Sequence, residues 1–273
     1  MTDHYAVMGN PVAHSKSPRI HTLFAAQTGQ DIDYRAIRVE PGGFPRAVDE
    51  FQSQGGRGLN ITVPFKEEAW ALATAHSNRA ACAGAVNTLV LDSSGGRFGD
   101  NTDGAGLVRD LAGNHGCELP GKRLLLVGAG GAARGVIEPL LNEGPALLVI
   151  ANRTPGRAVE LARRFCSLGR IEGCGLDALE GQSFDLIVNA TAAGLSGTVP
   201  ALPDSLVSPG TWCYDMMYGD TPTAFVRWAQ RLNAAQTMDG LGMLVEQAAE
   251  SFLLWRSVRP DTAPVIAALR QAR

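Results

Sequence analysis

The stretch LLLVGAGGAARG, residues 124–135, limits the folds open to this chain more than any other. An apolar run reads as a buried strand. The pattern G-x-G-x-x-A follows at once, with Gly128, Gly130 and Ala133 at its fixed positions, and leads into a helical pattern. Glycine at the first position permits the tight turn, and glycine at the second lets a pyrophosphate approach the main chain. The free N–H groups of the helix start then face the anion. In that strand–turn–helix setting the motif predicts a Rossmann-type, doubly wound parallel sheet that binds a dinucleotide. The loop residues Gly128, Ala129, Gly130, Gly131 and Ala132 are its candidate cofactor contacts.

The next strand decides which dinucleotide. A site for NAD expects an acidic residue roughly 20 residues on, bonding the ribose 2′-hydroxyl. This chain has ANRTPGR instead, with Asn152, Arg153 and Thr154 at the strand end and Arg157 one helical step later. A carboxylate there would repel a 2′-phosphate, whereas guanidinium groups bind it through charge-assisted hydrogen bonds. Arginines on a solvated helix face are the plain structural alternative, but at the end of this particular strand they point to NADP(H).

Short apolar runs alternate with helical patterns on both sides of the motif. YAVMG (5–9), DYRAIRV (33–39), GLNITV (58–63) and AVNTLVL (85–91) read as strands, with helices expected over 17–28, 42–53 and 64–75. After the motif come the strand ALLVIANRT (146–154), a helix near 155–167, and the strands FDLIVNA (184–190) and TWCYDMM (211–217). Such alternation implies βαβ units and mainly parallel sheets, hence a two-domain α/β fold. FGDNTDG (98–104) reads as a polar, glycine-rich junction between the two halves. In GLGMLVEQAAESFLLW (240–255) Leu241, Leu244, Val245, Ala248, Phe252 and Leu253 recur at helical spacing and should bury one face.

Composition removes several function classes. With 24 basic and 27 acidic residues among 273, the chain has a formal charge of −3 and no basic field for a nucleic acid backbone. No apolar run reaches the ~20 residues that span a bilayer, and the N-terminus lacks the charge-then-apolar pattern of a secretion signal. The five cysteines are scattered without C-x-x-C spacing, so neither a metal site nor a disulfide framework is indicated. A reduced, cytoplasmic setting is expected, with a small-molecule partner, no nucleic acid and no membrane. The pattern leaves open a monomer or a homodimer.

Three further stretches carry candidate chemistry. In GNPVAHSKSPRIH, Ser17 before Pro18 is a good N-cap, while Ser15 lies one residue outside any helical need. A helix start with two hydroxyls also suits a carboxylate. NITVPFKEEA puts Lys66 in a first helical turn, where the dipole disfavours a cation. It reads either as an exposed lysine paired with Glu67 or Glu68, or as a proton donor. DNTDG offers Asp103, an N-cap by local chemistry or, at the junction, a carboxylate facing a small-molecule site.

Together with GAVNT, NATAAG, YDMMYG and DGLGMLVEQAA, these motifs resemble the shikimate dehydrogenase family in order and over essentially the whole chain. The resemblance implies reversible NADPH-dependent reduction of 3-dehydroshikimate to shikimate, a step towards chorismate and the aromatic amino acids. It implies a substrate domain over 1–103 plus 239–273, the C-terminal helices returning to it, and an NADP-binding domain over 104–238. By the same resemblance Lys66 and Asp103 are the catalytic pair, and Ser15 and Ser17 bind the substrate carboxylate. Thr62, Asn87 and Gln247 are substrate contacts, Tyr218 lies by substrate and nicotinamide, and Met216 and Gly240 by the nicotinamide. Where the family often has an acidic residue near the cofactor, this chain has Asn78. The rival expectations are a quinate/shikimate dehydrogenase of relaxed specificity and a catalytically silent NADP(H) sensor. Length disfavours a bifunctional dehydratase–dehydrogenase.

Overall fold

The computed structural model of the chain describes residues 2–191, 193 and 197–271. They form two compact units, one of the residues up to Gly106 together with those from Val245 onwards, the other Leu107–Leu244. Parts of the NATAAG motif, Ala192 and Gly194, lie outside the described residues.

The first unit opens with β1 (Asp3–Gly9), α1 (Ser17–Thr28), β2 (Ile32–Arg38), α2 (Phe44–Ser53) and β3 (Gly56–Ile61). The short elements α3 (Lys66–Leu72), β4 (Ala75–His76), α4 (Asn78–Ala83), β5 (Thr88–Leu91) and β6 (Arg97–Asp100) follow. Its sheet has the order β2-β1-β3-β5-β6-β4. β5 runs antiparallel to both of its neighbours, while β1 pairs parallel with β2 and β3, and β4 with β6. One face packs Met8, Leu59, Ile61 and Leu89 against Phe44, Val48 and Phe65 of the following helices and turn. Burying a side chain of this size contributes roughly 1.5–3 kcal/mol. On the other face Tyr5, Val7, Val12 and Tyr34 form a second cluster that Trp255 closes. Trp255 sits so close above β3 that a Cβ on Gly58 would lie 2.3 Å from its Nε1.

The chain crosses to the second unit within α5 (Asp103–Arg109), followed by a π-helical turn over Asp110–Asn114. β7 (Arg123–Val127), α6 (Gly131–Asn142), β8 (Leu147–Asn152), α7 (Pro155–Phe165), β9 (Ile171–Gly175) and β10 (Leu186–Asn189) come next. β11 (Trp212–Asp215), α8 (Ala224–Arg231) and β12 (Gln236–Asp239) complete the unit. The sheet order is β12-β11-β10-β7-β8-β9, every pair parallel. Read from the other edge this is the 3-2-1-4-5-6 order of a doubly wound nucleotide-binding sheet, whose switch point lies between β7 and β10. The central strands β7 and β8 are apolar over 124–127 and 148–151, all buried because both faces are covered, whereas the edge strands β9 and β12 carry polar residues such as Glu172 and Gln236. The chain returns to the first unit within α9 (Leu241–Arg256) and ends in α10 (Ala263–Gln271).

Several local expectations need correction. Ser17 is not the N-cap of α1: Lys16 holds that position, and Ser17 is the first helical residue. Ser15 does the local work, its Oγ accepting the Ser17 N–H at 3.3 Å. The helix expected over 64–75 spans Lys66–Leu72, because Phe65 N–H closes a turn onto the Thr62 carbonyl (3.1 Å) and Ala73 is extended. The first part of the junction 98–104 is strand: Phe98, Gly99 and Asp100 belong to β6, Phe98 and Gly99 pairing with both β4 and β5 and Asp100 with β5. In 85–91 only Thr88–Leu91 is strand. On α9 Leu244 and Leu253 are half-buried, while the polar Ser251 is fully buried on the face where Leu241, Val245, Ala248 and Phe252 are also buried.

Candidate active site

The carboxyl ends of β3 and β6 bring the first set of predicted residues together. After β3 the Thr62 N–H bonds the Met8 carbonyl (3.0 Å), Phe65 N–H turns back onto Thr62, and Lys66 starts α3. The Lys66 carbonyl accepts the Val86 N–H at 2.9 Å, so the lysine backbone and the segment leading to Asn87 are tied to each other. Gly9 is required for this approach, because a Cβ there would lie 2.3 Å from the Thr62 methyl. After β6 the Asn101 side chain accepts the Asp103 N–H (3.2 Å) and donates to the Ala85 carbonyl (3.1 Å), which sets Asp103 at the head of α5.

Lys66 Nζ donates to Asp103 Oδ2 at 2.5 Å. The lysine therefore pairs with Asp103 rather than projecting as the solvent-facing partner of Glu67 or Glu68. The two side chains keep only 22% and 11% of their exposure, so the pair is largely desolvated without being sealed off. Asn87 Nδ2 donates to Asp103 Oδ1 at 2.8 Å, to Thr102 Oγ1 at 2.9 Å and to Gln247 Oε1 at 3.3 Å. Four predicted residues, Lys66, Asn87, Asp103 and Gln247, thus share one hydrogen-bonded cluster within the first unit. Both carboxylate oxygens of Asp103 are held, which fixes its plane.

Asp100, three residues before Asp103, anchors the strand end. Arg79 grips it with Nε at 2.7 Å and Nη2 at 2.5 Å, and the Ser77 hydroxyl and Asn101 N–H add to the same carboxylate. Burial pushes the Asp100 carboxyl up, but the Arg79 contacts outweigh it and hold the group below the usual carboxylate range. Ser15 and Ser17 lie in the same unit at the start of α1, Ser17 buried and Ser15 half-buried. Thr62 is half-buried at the end of β3, and Asn78 is exposed at the start of α4.

The second set sits at the carboxyl end of the second unit's sheet. Gly128, with φ +115°, makes a turn that only glycine adopts readily, and a Cβ there would lie 3.1 Å from the Ala190 carbonyl oxygen at the end of β10. Gly130 precedes α6, caps it with no side chain, and meets nothing within 4 Å of its Cβ position. The turn thus offers an open cradle at a helix start, which is what a pyrophosphate needs. Asn152 shapes the end of β8 by donating to the Thr154 carbonyl (3.0 Å), and Arg153 and Arg157 are exposed around it. These residues fit the 2′-phosphate form of a dinucleotide. Met216 and Tyr218 follow β11, where buried Asp215 accepts from Asn189 (3.0 Å), Thr223 (2.5 Å) and the Met217 N–H (3.1 Å). Burial raises the Asp215 carboxyl despite those donors. Gly240 passes so close to Met216 that a Cβ would meet its carbonyl oxygen at 2.2 Å. Among the described residues no three His, Cys, Asp or Glu side chains gather as a metal site.

Comparison with known proteins bears on this arrangement directly. Residues 7–89 match the family described as shikimate dehydrogenase substrate binding domain, residues 110–196 shikimate / quinate 5-dehydrogenase, and residues 240–270 the shikimate 5′-dehydrogenase C-terminal domain. A shikimate dehydrogenase (NADP(+)) from Alkalilimnicola ehrlichii is 60% identical over 270 residues, covering 99% of each chain. The chain belongs to the shikimate dehydrogenase family. Among solved structures, an Ael1 enzyme from Pseudomonas putida superposes with a TM-score of 0.93 at 46% identity over 98% of both chains. The shikimate 5-dehydrogenase of Thermus thermophilus, solved with NADP(H) and shikimate, gives a TM-score of 0.89 at 34% identity over 100% of both. The two-domain α/β expectation is met, including the return of the C-terminal helices to the first unit.

Reading the motifs missed three polar residues that complete the first cluster: Asn60, Thr88 and Ser251. Asn60 and Thr88 were hidden inside apolar strand patterns. Ser251 had a legible signal, since it stands four residues after Gln247 and therefore on the same helical face.

Proposed function

We propose that this chain catalyses the reversible NADPH-dependent reduction of 3-dehydroshikimate to shikimate. The observation that carries the reading is the Lys66–Asp103 pair, at 2.5 Å, held by Asn87 in the unit that matches the substrate-binding family. In the direction of reduction the substrate carbonyl becomes an alcohol and needs one proton at its oxygen. The Lys66 ammonium gives that proton, and Asp103 accepts a hydrogen bond from the substrate while holding Lys66 in place. In the reverse direction neutral Lys66 takes the hydroxyl proton. NADPH, when bound, supplies the hydride that reduces the carbonyl carbon.

Ser15 and Ser17 hold the substrate carboxylate at the start of α1. Thr62, Asn87 and Gln247 hold its hydroxyl groups, so the ring enters in one orientation. Tyr218 contacts substrate and nicotinamide, with Met216 and Gly240 beside the latter. The loop Gly128–Ala132 holds the pyrophosphate, Asn152, Arg153, Thr154 and Arg157 the adenosine ribose and its phosphate, and Asn78 makes a minor cofactor contact. On this reading 1–103 with 239–273 is the substrate domain and 104–238 the NADP domain. Five free cysteines support a reducing, cytoplasmic setting.

The test is the change in nicotinamide absorbance when the purified chain meets shikimate or quinate, each with NADP⁺ or NAD⁺. Rapid reduction with shikimate and NADP⁺ alone is expected. Equal rates with quinate would give the relaxed-specificity enzyme, and no rate with any pair would make the chain an NADP(H) sensor.

A further inference from the structure

We infer that Thr88 and Ser251 are positioning residues for the acid–base pair, acting through Asn87 to set which end of its side-chain amide faces Asp103. The inference rests on the proposed role of Lys66 and Asp103, and it concerns residues to which no role has so far been given.

An asparagine amide has a donor end and an acceptor end of nearly the same shape, so its orientation follows from its neighbours. The Oδ1 end of Asn87 accepts the Thr102 N–H at 2.8 Å and the Thr88 hydroxyl at 2.9 Å. Nδ2 is thereby turned to Asp103 Oδ1, 2.8 Å away. In the flipped orientation the carbonyl oxygen would stand against the Asp103 carboxylate. Acceptor would meet acceptor in a site with almost no water, since Asn87 is 2% exposed and Asp103 8%.

Donors placed on the lone pairs of Thr88 Oγ1 favour the direction in which its single proton goes to Asn87. Asn60 Nδ2 donates to Thr88 Oγ1 at 3.2 Å, and Ser251 Oγ lies 2.8 Å from that oxygen. The Ser251 proton goes either to Thr88 or to the Gln247 carbonyl at 3.1 Å; when it goes to Thr88, the Thr88 proton is left for Asn87. Asn60 also donates to Ser251 at 2.9 Å. Its own orientation is set by the Tyr34 hydroxyl, which donates to Asn60 Oδ1 at 2.7 Å. A buried chain thus runs from Tyr34 through Asn60, Ser251 and Thr88 to Asn87 and Asp103. Thr88 and Ser251 are both 0% exposed, so neither touches solvent. A strand and a helix 163 positions apart in sequence would pack more cheaply with two methyl groups here. The hydroxyls supply direction, which methyl groups lack.

The experiment compares wild type, Thr88→Val, Thr88→Ser and Ser251→Ala. It measures kcat and KM for shikimate with NADP⁺, together with the side-chain amide signal of Asn87 by NMR. Losing one hydrogen bond that orients a contact to a charged group should lower kcat of Thr88→Val about 10- to 100-fold, with KM changed less than about threefold. Thr88→Ser, which keeps the hydroxyl, should stay within about twofold of wild type. In Thr88→Val the Asn87 amide protons should exchange at least about tenfold faster with solvent. Wild-type kcat and amide exchange in Thr88→Val would overturn the inference, as would a Thr88→Ser variant no better than Thr88→Val. If Thr88→Val shows no cooperative unfolding transition, Ser251→Ala decides. A several-fold lower kcat with faster Asn87 exchange supports the inference, and wild-type values contradict it. The amide readout needs no turnover, so an inactive wild type would defeat the proposed function and still leave this inference tested.

Discussion

Replacing His21 by phenylalanine should remove a large part of the protein's sensitivity to mild acid. His21 lies on the buried face of α1, 0% exposed, stacked on Tyr34 with ring centroids 4.1 Å apart and planes 7° apart. Phe24, Phe252 and Trp255 complete its surroundings, and neither ring nitrogen has a hydrogen-bond partner among the described residues. Burial lowers its pKa from 6.5 to about 3, opposed in part by the neighbouring Asn60. The folded state therefore keeps His21 neutral, whereas the unfolded chain protonates it below pH 6.5. The unfolded state binds the extra proton, so stability is complete above pH 6.5 and falls as the pH drops from there towards 3. At pH 5 the loss relative to pH 7.5 is about 2 kcal/mol, and a folded-state value anywhere near 3 gives the same figure. Asp3 and Asp100, held low by arginines, add their own acid loss only further down and equally in both proteins. Urea unfolding at pH 7.5 and 5.0, followed by far-UV circular dichroism, reads the difference. The wild type should lose about 2 kcal/mol more than His21→Phe between the two pH values. Parallel losses would show that the imidazole is not buried as the neutral form.

Two other variants test the ligand assignments. Replacing Ser15 and Ser17 together by alanine should raise KM for shikimate about tenfold or more, since hydrogen bonds to a carboxylate are lost, with kcat less affected. An unchanged KM in steady-state assays would leave the serines with their turn alone. Arg153→Asp should raise KM for NADP⁺ about tenfold or more while that for NAD⁺ holds or falls, because a carboxylate replaces a guanidinium beside the 2′-phosphate. Unchanged preference between the two cofactors would place the phosphate elsewhere.

The parts of the molecule that could be read in advance are those where one residue type has a narrow physical use. The turn at Gly128 could be read because a positive φ beside the Ala190 carbonyl leaves little choice but glycine. The pairing of Lys66 with Asp103 was not legible from spacing, since 37 positions separate them and each has a plain surface or capping role open to it. The chemistry of a lysine and a carboxylate at one small-molecule site suggested the pair, and the whole order of motifs gave it its role. β4 and β6 escaped because two- and four-residue strands carry too little alternation, and glycine at 99 looks like a turn until Val86 and Ala73 are seen packed against it. Ser17 as a cap was the natural choice, but the helix starts one residue earlier than that role requires, and Ser15 takes the bond instead. Thr88, Asn60 and Ser251 were invisible for a different reason. Each is a polar residue in an apolar pattern, and its partners come from three separate segments that only the fold assembles.

The most direct test of the account is the turnover of Lys66→Ala with shikimate and NADP⁺, measured beside its affinity for NADPH. Loss of the proton donor should lower kcat by about 10²- to 10⁴-fold, while NADPH binds as in wild type because Lys66 lies outside the nucleotide-binding unit. Near-normal turnover in that variant would contradict the assignment of Lys66 and Asp103 as the acid–base pair.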